Sequence, residues 1–253
     1  MTTEFGPVLK EWRVMRRMSQ LDLGLSANVS ARHISFLETG RARPSRGMIL
    51  RLCDELEVPR AARNTWLTAA GLAPAYAARD LSDADMAPVR AAIAWTLEQH
   101  DPYPAFVIDK YWQILDLNPA AARLFGLVGL GAGDDVIAAL AENERLRASI
   151  VNLQDVLRLT AARLRTESVH LGGDMRLAAA ADRLLLDVTE PKPIGAMPSF
   201  VPAIYRVGEF ELRFLTTLSQ FGTTEDIALS EMRLELMYPA DEQTETRLKT
   251  VFV

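Results

Sequence analysis

The side chains best suited to chemistry lie close together between Ser19 and Ser45, in the segment SQLDLGLSANVSARHISFLETGRARPS. Arginine, serine, glutamine and histidine can hydrogen-bond to phosphate oxygens and to base edges, and an aromatic ring can contact a thymine methyl group. This mixture favours contacts with double-stranded DNA. The predicted contact residues are Gln20, Ser30, Ala31, Arg32, His33, Ser35, Phe36, Arg41, Arg43 and Ser45.

Two short helices joined by a tight turn are predicted to position these side chains. Ser19 can cap a helix over residues 20–27, and Ser30 can cap the helix that follows. Asn28 suits the turn between them because it tolerates left-handed backbone better than most residues. Gly24 predicts that the second helix crosses the first at close range there.

An ion pair is predicted to hold these helices against the helix LKEWRVMRRM that precedes them. Arg13 in that helix is expected to reach Glu38 as a partly buried pair, which would fix the three helices together. Caps and an apolar stripe occur in any helical hairpin, so the basic residues Arg41, Arg43 and Arg46 are needed to favour DNA.

Charge is segregated along the chain. Residues 1–80 contain twelve Lys/Arg and eight Asp/Glu, a net charge of +4, whereas the rest contains sixteen basic and twenty-five acidic residues, a net charge of −9. A basic module joined to an acidic one suits phosphate binding by the first, with an affinity that falls as salt rises.

The segment from Phe5 to Gly71 resembles the Xre-type, lambda-repressor-like helix-turn-helix domain, a bundle of five short helices. The resemblance rests on the SQ start at residues 19–20, the VS turn at 29–30 and SFLETGRARPS at 35–45, although Asn28 stands where Gly is usual. It implies a fourth helix in SRGMILRLCDELEV and a fifth in PRAARNTWLTAAG.

The composition is that of a globular chain with two domains. It has 253 residues, of which 49% are hydrophobic, and neither a membrane span nor a secretory signal is recognisable. Cys53, the single cysteine, is predicted to be a core residue in a reducing compartment, with redox sensing as the alternative. We therefore expect a cytoplasmic protein that does not enter a membrane.

Three regions are predicted. Residues 1–75 form the helix-turn-helix domain, residues 76–100 a linker with a connecting helix in PVRAAIAWTLEQ, and residues 101–253 a second domain. Proline, alanine and aspartate without an apolar period mark the linker.

The second domain is predicted to open with a β-hairpin and a helix. Ala105 to Ile108 and Trp112 to Leu117 have strand composition around a turn at Asp109-Lys110, and Asn118-Pro119 can start a helix. This order resembles the opening of a PAS-like sensory domain, whose apolar interior commonly houses a small molecule.

A helical insertion is predicted from about residue 134 to 187, interrupted at Gly172-Gly173-Asp174. It would cover one mouth of the sensory core or mediate dimerisation, with packing alone as the alternative. Strands return in FELRFLTTLSQF and SEMRLELMYPA, with TTEDIA as a connection. The predicted fold class is α+β, an all-α five-helix domain followed by a PAS-like domain with an antiparallel sheet and this insertion.

FGTTEDIALSEMRLELMYPADEQTE is very similar to the C-terminal signature of MmyB-like transcription regulators, and YPAFVIDKYWQILDLNPAA matches the opening of the same domain. These regulators pair an Xre-type helix-turn-helix with a PAS-like ligand-binding domain. The resemblance implies a ligand-responsive regulator, and some members of the family are thought to hold a fatty acid or a similar lipid-like molecule.

An apolar ligand would need a pocket lined by the second domain. Arg206, Arg123 or Lys110 could meet a carboxylate, with surface salt bridges as the alternative use. Strand alternation turns only half of the apolar candidates inward, and plain core packing is the alternative for each. The candidate lining residues are Phe106, Ile108, Trp112, Ile114, Leu124, Phe125, Arg206, Phe214, Leu218, Met232 and Leu234.

No catalytic or metal-binding pattern is recognisable in the sequence. His100 and His170 are isolated, and GLVGLGAGDD lacks the Lys-Ser/Thr ending of a phosphate-binding loop. We expect neither an enzymatic activity nor a cofactor other than a bound apolar molecule.

Two hypotheses follow. In the first, the chain is a homodimeric transcription regulator whose ligand alters how two helices read DNA half-sites. In the second, the N-terminal module binds protein and the C-terminal domain is a metabolite-binding or catalytic unit.

Overall fold

The computed structural model describes residues 5–76, 79, 81–189, 200–221 and 226–251. The described chain divides into two compact units. The first contains the N-terminal helices together with residues 166–175, and most of the remaining described residues form the second. The predicted α+β class is confirmed, because the N-terminal region is helical and the C-terminal region contains an antiparallel sheet with helices.

The predicted five-helix bundle is confirmed within residues 5–76. Its core contains Trp66, which is fully buried and meets the rings of Phe5 and Trp12 edge to face, at centroid distances of 5.6 and 6.4 Å. The helices are α1 (Phe5–Met15), α2 (Gln20–Ser26), α3 (Ala31–Glu38), α4 (Arg46–Glu55) and α5 (Arg60–Ala69).

Cys53 lies on α4 in this core and has no exposed surface. Burial raises the pKa of its thiol to about 12. The thiol therefore stays protonated at neutral pH, which is the opposite of what a redox-sensing cysteine requires. The prediction of a core cysteine is confirmed.

The predicted caps and turn between α2 and α3 are also confirmed. The Ser19 hydroxyl accepts from the backbone N–H of Asp22, whose carboxylate accepts from the Ser19 N–H, so the two form a capping box. The Ser30 hydroxyl accepts from the N–H of His33. Asn28 has a φ of 54°. These local bonds fix where α3 begins.

The rest of the described chain builds a five-stranded antiparallel sheet in the order β2-β1-β5-β4-β3, with helices around it. Its elements are α6 (Ala87–His100), β1 (Ala105–Ile108), β2 (Ile114–Leu117), α7 (Pro119–Gly126), α8 (Val136–Glu142), α9 (Glu144–Ser149), α10 (Leu153–His170), α11 (Met175–Leu186), β3 (Ala203–Val207), β4 (Phe210–Ser219), α12 (Ile227–Glu231), β5 (Arg233–Pro239) and α13 (Glu242–Val251).

The predicted hairpin, connecting helix and helical insertion are confirmed, and four elements within the described ranges were not predicted. β2 begins at Ile114 rather than Trp112, because Trp112 has a φ of 65° that does not fit a strand. The unpredicted elements are a short 3₁₀ helix (Ala84–Met86), β3, α12 and α13. Part of the predicted connection TTEDIA, at residues 223–225, lies outside the described residues, as do residues 77, 78 and 80 of the linker.

Asn118 joins the first strand to the helices on either side of it. Its side-chain oxygen accepts from the N–H groups of Ala105 and Ala121, and its amide nitrogen donates to the carbonyls of Leu97 and Tyr103. Asn118 is buried, and three of the four bonds are buried with it, while the bond to Tyr103 is partly buried. They fix α6, β1 and α7 relative to one another.

The two faces of the sheet have different neighbours. On β5, Leu234 and Leu236 pack with Ile93 and Leu97 of α6 in one apolar cluster. Side chains alternate along a strand, so Glu235 lies on the opposite face. That face, which is covered by the insertion, contains the cavity described below.

Replacing Gly24 by Ala should destabilise the first unit, although Ala is the better helix former. The new Cβ would lie 2.8 Å from the carbonyl oxygen of Val29 and 3.0 Å from the nitrogen of Ala31. We expect the free energy of unfolding to fall by about 1–3 kcal/mol.

Gly47→Ala is the matched control, because a Cβ at Gly47 in α4 meets no atom within 4 Å. It should raise the free energy of unfolding by up to about 1 kcal/mol. Urea unfolding measures both variants. If the free energy of unfolding rose equally in Gly24→Ala and Gly47→Ala, the close approach at Gly24 would be contradicted.

Candidate functional site

The predicted DNA-contact residues lie on α2, on α3 and in the loop that follows α3. Ile34 and Leu37 bury one face of α3, which leaves the opposite face outward. Arg32, Arg41 and Arg43 are exposed. The α3 members of the predicted set are Ala31, Arg32, His33, Ser35 and Phe36, with Ser30 as N-cap, Arg41 and Arg43 in the loop, Ser45 before α4 and Gln20 at the start of α2.

Phe36 is half-buried, so only part of its surface is open to the predicted contact with a thymine methyl group. The guanidinium of Arg32 lies over this ring, 5.2 Å from its centroid. Residues four apart share one side of a helix, and a cation favours the face of an aromatic ring. Phe36 therefore holds Arg32 against the outward surface of α3.

Three of the predicted contact groups already have protein partners. The Ser30 and Ser45 hydroxyls accept from the backbone N–H groups that begin α3 and α4. The Gln20 amide nitrogen donates to Glu38 over 2.7 Å. Each group keeps further hydrogen-bonding capacity, because a hydroxyl retains its proton and an amide has a second N–H and an oxygen.

The predicted pair of Arg13 and Glu38 is confirmed, and it is bidentate. Arg13 Nε lies 2.6 Å from Glu38 Oε1, and Arg13 Nη2 lies 3.1 Å from Oε2. The third guanidinium nitrogen donates to the carbonyl of Met18. The side chains are 11% and 3% exposed. Together with Gln20, the pair ties α1, α2 and α3 together.

The arginines after α3 divide by their partners. Arg46 donates to the carbonyls of Ala73 and Pro74, so it holds the end of the bundle. Arg41 and Arg43 are exposed on the loop between α3 and α4. Their positive charges are thus placed next to the outward face of α3.

A cavity of about 320 Å³ lies on the insertion side of the sheet. This volume is within the range of small-molecule sites, and most of the lining is apolar. The lining residues are Phe106, Trp112, Phe125, Leu130, Val136, Leu140, Leu146, Val156, Leu159, Thr160, Arg163, Val201, Ala203, Tyr205, Phe214, Thr216, Glu235 and Met237.

Four of the predicted ligand-binding residues line this cavity, namely Phe106, Trp112, Phe125 and Phe214. Leu124 and Arg206 instead line a neighbouring cavity of about 20 Å³, which holds little more than a water molecule. The remaining five predicted residues, which line neither cavity, are Ile108, Ile114, Leu218, Met232 and Leu234.

These five corrections have simple structural causes. Met232 and Leu234 pack in the cluster with α6, on the other face of the sheet. Ile108 and Ile114 are fully buried core residues of the hairpin, and Leu218 is 50% exposed on β4. Composition identified the strands β1, β2, β4 and β5 but did not identify which face of the sheet encloses space.

Most of the lining that sequence reasoning missed comes from the insertion and from β3. Leu140, Leu146 and Val156 belong to insertion helices that were predicted to cover the sensory core or to mediate dimerisation, but none of their residues was named as lining. On β5 there was a usable signal: Glu235 is an acidic residue inside the otherwise apolar run LELM.

Part of the cavity lining is polar. Arg163 Nη2 on α10 lies 2.6 Å from Glu235 Oε1 on β5, and the Arg163 guanidinium lies 4.2 Å from the centroid of the Trp112 ring. Burial, with Glu235 nearby, raises the pKa of Tyr205 to about 12. The Tyr205 hydroxyl therefore keeps its proton at neutral pH and can donate a hydrogen bond.

The three cations predicted as possible partners for a ligand carboxylate do not line the large cavity. Lys110 Nζ pairs with Glu231 over 3.0 Å, and Arg206 lies 3.9 Å from Glu211. Arg123 is exposed on α7. Arg163, which was not predicted, is the cation on the described lining.

Metal binding and membrane crossing find no support within the described residues. No group of three or more His, Cys, Asp or Glu side chains there is placed to hold a metal ion. Among the helices of the described ranges, none combines the length and the apolar character needed to cross a membrane.

Comparison with known proteins assigns a family to each region. Residues 4–66 match a helix-turn-helix domain. Residues 89–251 match the ligand binding domain of MmyB-like transcription regulators. No curated protein matches the chain.

Breaking the buried ion pair should destabilise the helical bundle strongly. Arg13→Met leaves the Glu38 carboxylate with the Gln20 amide, and we expect it to cost about 3–5 kcal/mol of unfolding free energy. A double-mutant cycle with Glu38→Gln, followed by urea unfolding, should give a coupling energy of about 0.5–3 kcal/mol.

The exposed pair of Arg165 and Asp182 is the control, with side chains that are 57% and 70% exposed. The same cycle there should give a coupling below about 1 kcal/mol. If the unfolding free energies lost in Arg13→Met and Glu38→Gln simply added in the double mutant, the pair would not fix the helices.

Proposed function

The chain belongs to the MmyB-like transcription regulators, and we propose that it reads specific DNA sequences as a homodimer under the control of an apolar ligand. Its helix-turn-helix and ligand-binding domains make it a DNA-binding transcription regulator with a small-molecule site. The proposal depends mainly on the orientation of α3. Its inner face is buried in the bundle, and its outer face exposes Arg32.

On DNA, α3 would enter the major groove. An arginine can bond to O6 and N7 of guanine in a bidentate manner, so Arg32 is the proposed base-reading residue. Arg41 and Arg43 would contact phosphates, which position the protein without reading the sequence. In a homodimer, two such helices would read half-sites about 34 Å apart, one helical turn of DNA.

The ligand would occupy the cavity of about 320 Å³ on the insertion side of the sheet. Its aromatic and aliphatic lining suits a small apolar or fatty-acid-like molecule with one polar end. The opening order of strand, strand and helix and the antiparallel sheet support the proposal that this domain is PAS-like.

The ligand can change DNA affinity only by as much as it distinguishes two arrangements of the protein. The covering helices supply Leu140, Leu146 and Val156 to the cavity wall. We propose that their position responds to ligand and alters the spacing or tilt of the two recognition helices. No enzymatic activity is proposed, because both matched families are those of regulators.

Substitutions on α3 and in the following loop should have different effects on DNA binding. Arg32→Ala should relax the base preference, with a cost of about 1–3 kcal/mol on the preferred sequence. Arg41→Ala or Arg43→Ala should weaken binding to all sequences and reduce the slope of log affinity against log salt by about 1. Fluorescence anisotropy with specific and scrambled duplexes measures both effects.

Arg60→Ala is a charge-matched control, since Arg60 lies on α5, outside the proposed DNA surface. The DNA affinity of Arg60→Ala, and the slope of log affinity against log salt, should stay close to those of the wild type. An Arg32→Ala variant that keeps both affinity and sequence preference would disprove the assignment of Arg32.

A cavity-filling substitution should remove a co-purified ligand. Val156 lines the cavity, so the indole of Val156→Trp would occupy part of the ligand volume. Native mass spectrometry of gently purified wild-type protein should show an added apolar mass, and the variant should lose it. Val151→Trp makes the same change outside the cavity lining and should keep the ligand. If wild type and Val156→Trp carried the same added ligand mass, the ligand would not bind at this site.

A further inference from the structure

Arg32 and Phe36 lie at the middle of the outward surface of α3. Successive residues of a helix are turned by about 100°, so Arg32 and Phe36 both lie on the side opposite the buried residues Ile34 and Leu37. Arg32 is exposed and Phe36 is half-buried. A duplex that binds this surface therefore meets the arginine and the ring together.

The Phe36 ring covers one face of the Arg32 guanidinium without blocking its hydrogen-bond donors. The guanidinium carbon lies 5.2 Å from the centroid of the ring. The N–H groups of an arginine point outward in the plane of its guanidinium, so a ring over one face does not compete for them. Arg32 can thus donate to O6 and N7 of a guanine while it stays on the ring.

The loop after α3 is bonded to the same aromatic residue. The Phe36 carbonyl accepts from the backbone N–H groups of Arg41 and Ala42 over 2.8 and 3.1 Å. Phe36 therefore connects the proposed base-reading arginine, which lies over its ring, with the loop that contains the proposed phosphate-binding Arg41.

We propose that Arg32 and Phe36 act as one reading unit, which selects a guanine that has a 5-methylpyrimidine on the neighbouring base pair. The inference rests on the proposed function and narrows the DNA that it recognises. Neighbouring base pairs are stacked about 3.4 Å apart, so a guanidinium and a ring that lie 5.2 Å apart can reach two neighbouring pairs. The open part of the ring would contact the C5-methyl group, which is the apolar feature of thymine in the major groove.

The same contact makes binding sensitive to cytosine methylation. Cytosine has no methyl group at C5, whereas 5-methylcytosine has one at the position that thymine uses. Burial of this methyl group against an apolar ring is favourable whichever pyrimidine carries it. We therefore expect 5-methylcytosine to replace thymine beside the guanine.

The test uses a duplex selected from random DNA by the full-length protein. The selected consensus should contain a guanine with thymine on a neighbouring base pair. Versions of this duplex with thymine, uracil, 5-methylcytosine or cytosine at that position are then compared by fluorescence anisotropy. Uracil should bind about fourfold more weakly than thymine, and cytosine about fourfold more weakly than 5-methylcytosine, because each lacks one buried methyl group.

Phe36→Ala should abolish both methyl effects, because it removes the ring. It should also lower the preference for guanine over adenine at the neighbouring position by about two- to fivefold, because Arg32 loses the aromatic face that holds it. A purely structural role of Phe36 would instead weaken binding to all four duplexes equally.

Phe210→Ala is the matched control. It removes a ring whose centroid lies 4.6 Å from the guanidinium carbon of Arg247, outside the helix-turn-helix domain. This variant should keep both methyl effects and the wild-type preference for guanine. The comparison of the four duplexes with wild-type protein does not depend on how well any variant folds.

Three results would overturn this inference while leaving DNA reading by α3 intact. The first is a consensus in which no guanine has a thymine on a neighbouring base pair. The second is equal binding of the thymine and uracil duplexes by the wild type, and the third is a Phe36→Ala variant that keeps both methyl effects. Failure to select any consensus would instead overturn the proposed function, and this inference with it.

Discussion

A carboxylate with 3% exposure must be compensated by the protein, and Glu38 at the end of α3 is compensated by Arg13 on α1 and Gln20 on α2. The two hydrogen bonds between Arg13 and Glu38 allow little rotation, and loss of either residue leaves the charge of the other in the core. The inner face of α3 is thereby fixed to two other helices. The outer face, with Arg32 over the Phe36 ring, is consequently presented in one orientation.

The second unit also uses a buried carboxylate, for a different purpose. Glu235 projects from β5 on the face opposite Leu234 and Leu236, and Arg163 neutralises it from the covering helix α10. Here the pair borders a cavity instead of closing a core. Strand alternation thus gives one sheet a solid face against α6 and an open face for a ligand. A buried ion pair therefore lies beside the proposed DNA-reading helix, and another lies beside the ligand cavity.

The N-terminal bundle could be predicted almost completely, because its signals are local. The caps at Ser19 and Ser30 bond to residues only a few positions further along the chain, and the left-handed Asn28 lies in the turn between the two helices. The cavity depends on non-local pairing: β5 lies between β1 and β4, although the insertion separates β1 from both in sequence. Apolar composition on β5 fits either face, so Leu234 was assigned to the cavity while Met237 was missed. α13 was missed because its sequence EQTETRLKTV is polar and lacks a strong apolar period.

Sequence reading by α3 can be measured by selecting binding sites from random DNA duplexes with the full-length protein and sequencing them. An outward α3 on each protomer of a homodimer predicts a consensus with two-fold symmetry, whose half-sites are spaced by about one helical turn. Binding to the consensus should weaken as salt is raised, but it should remain tighter than binding to scrambled duplexes. Recovery of no consensus, with equal binding to all duplexes even at low salt, would contradict sequence reading by α3.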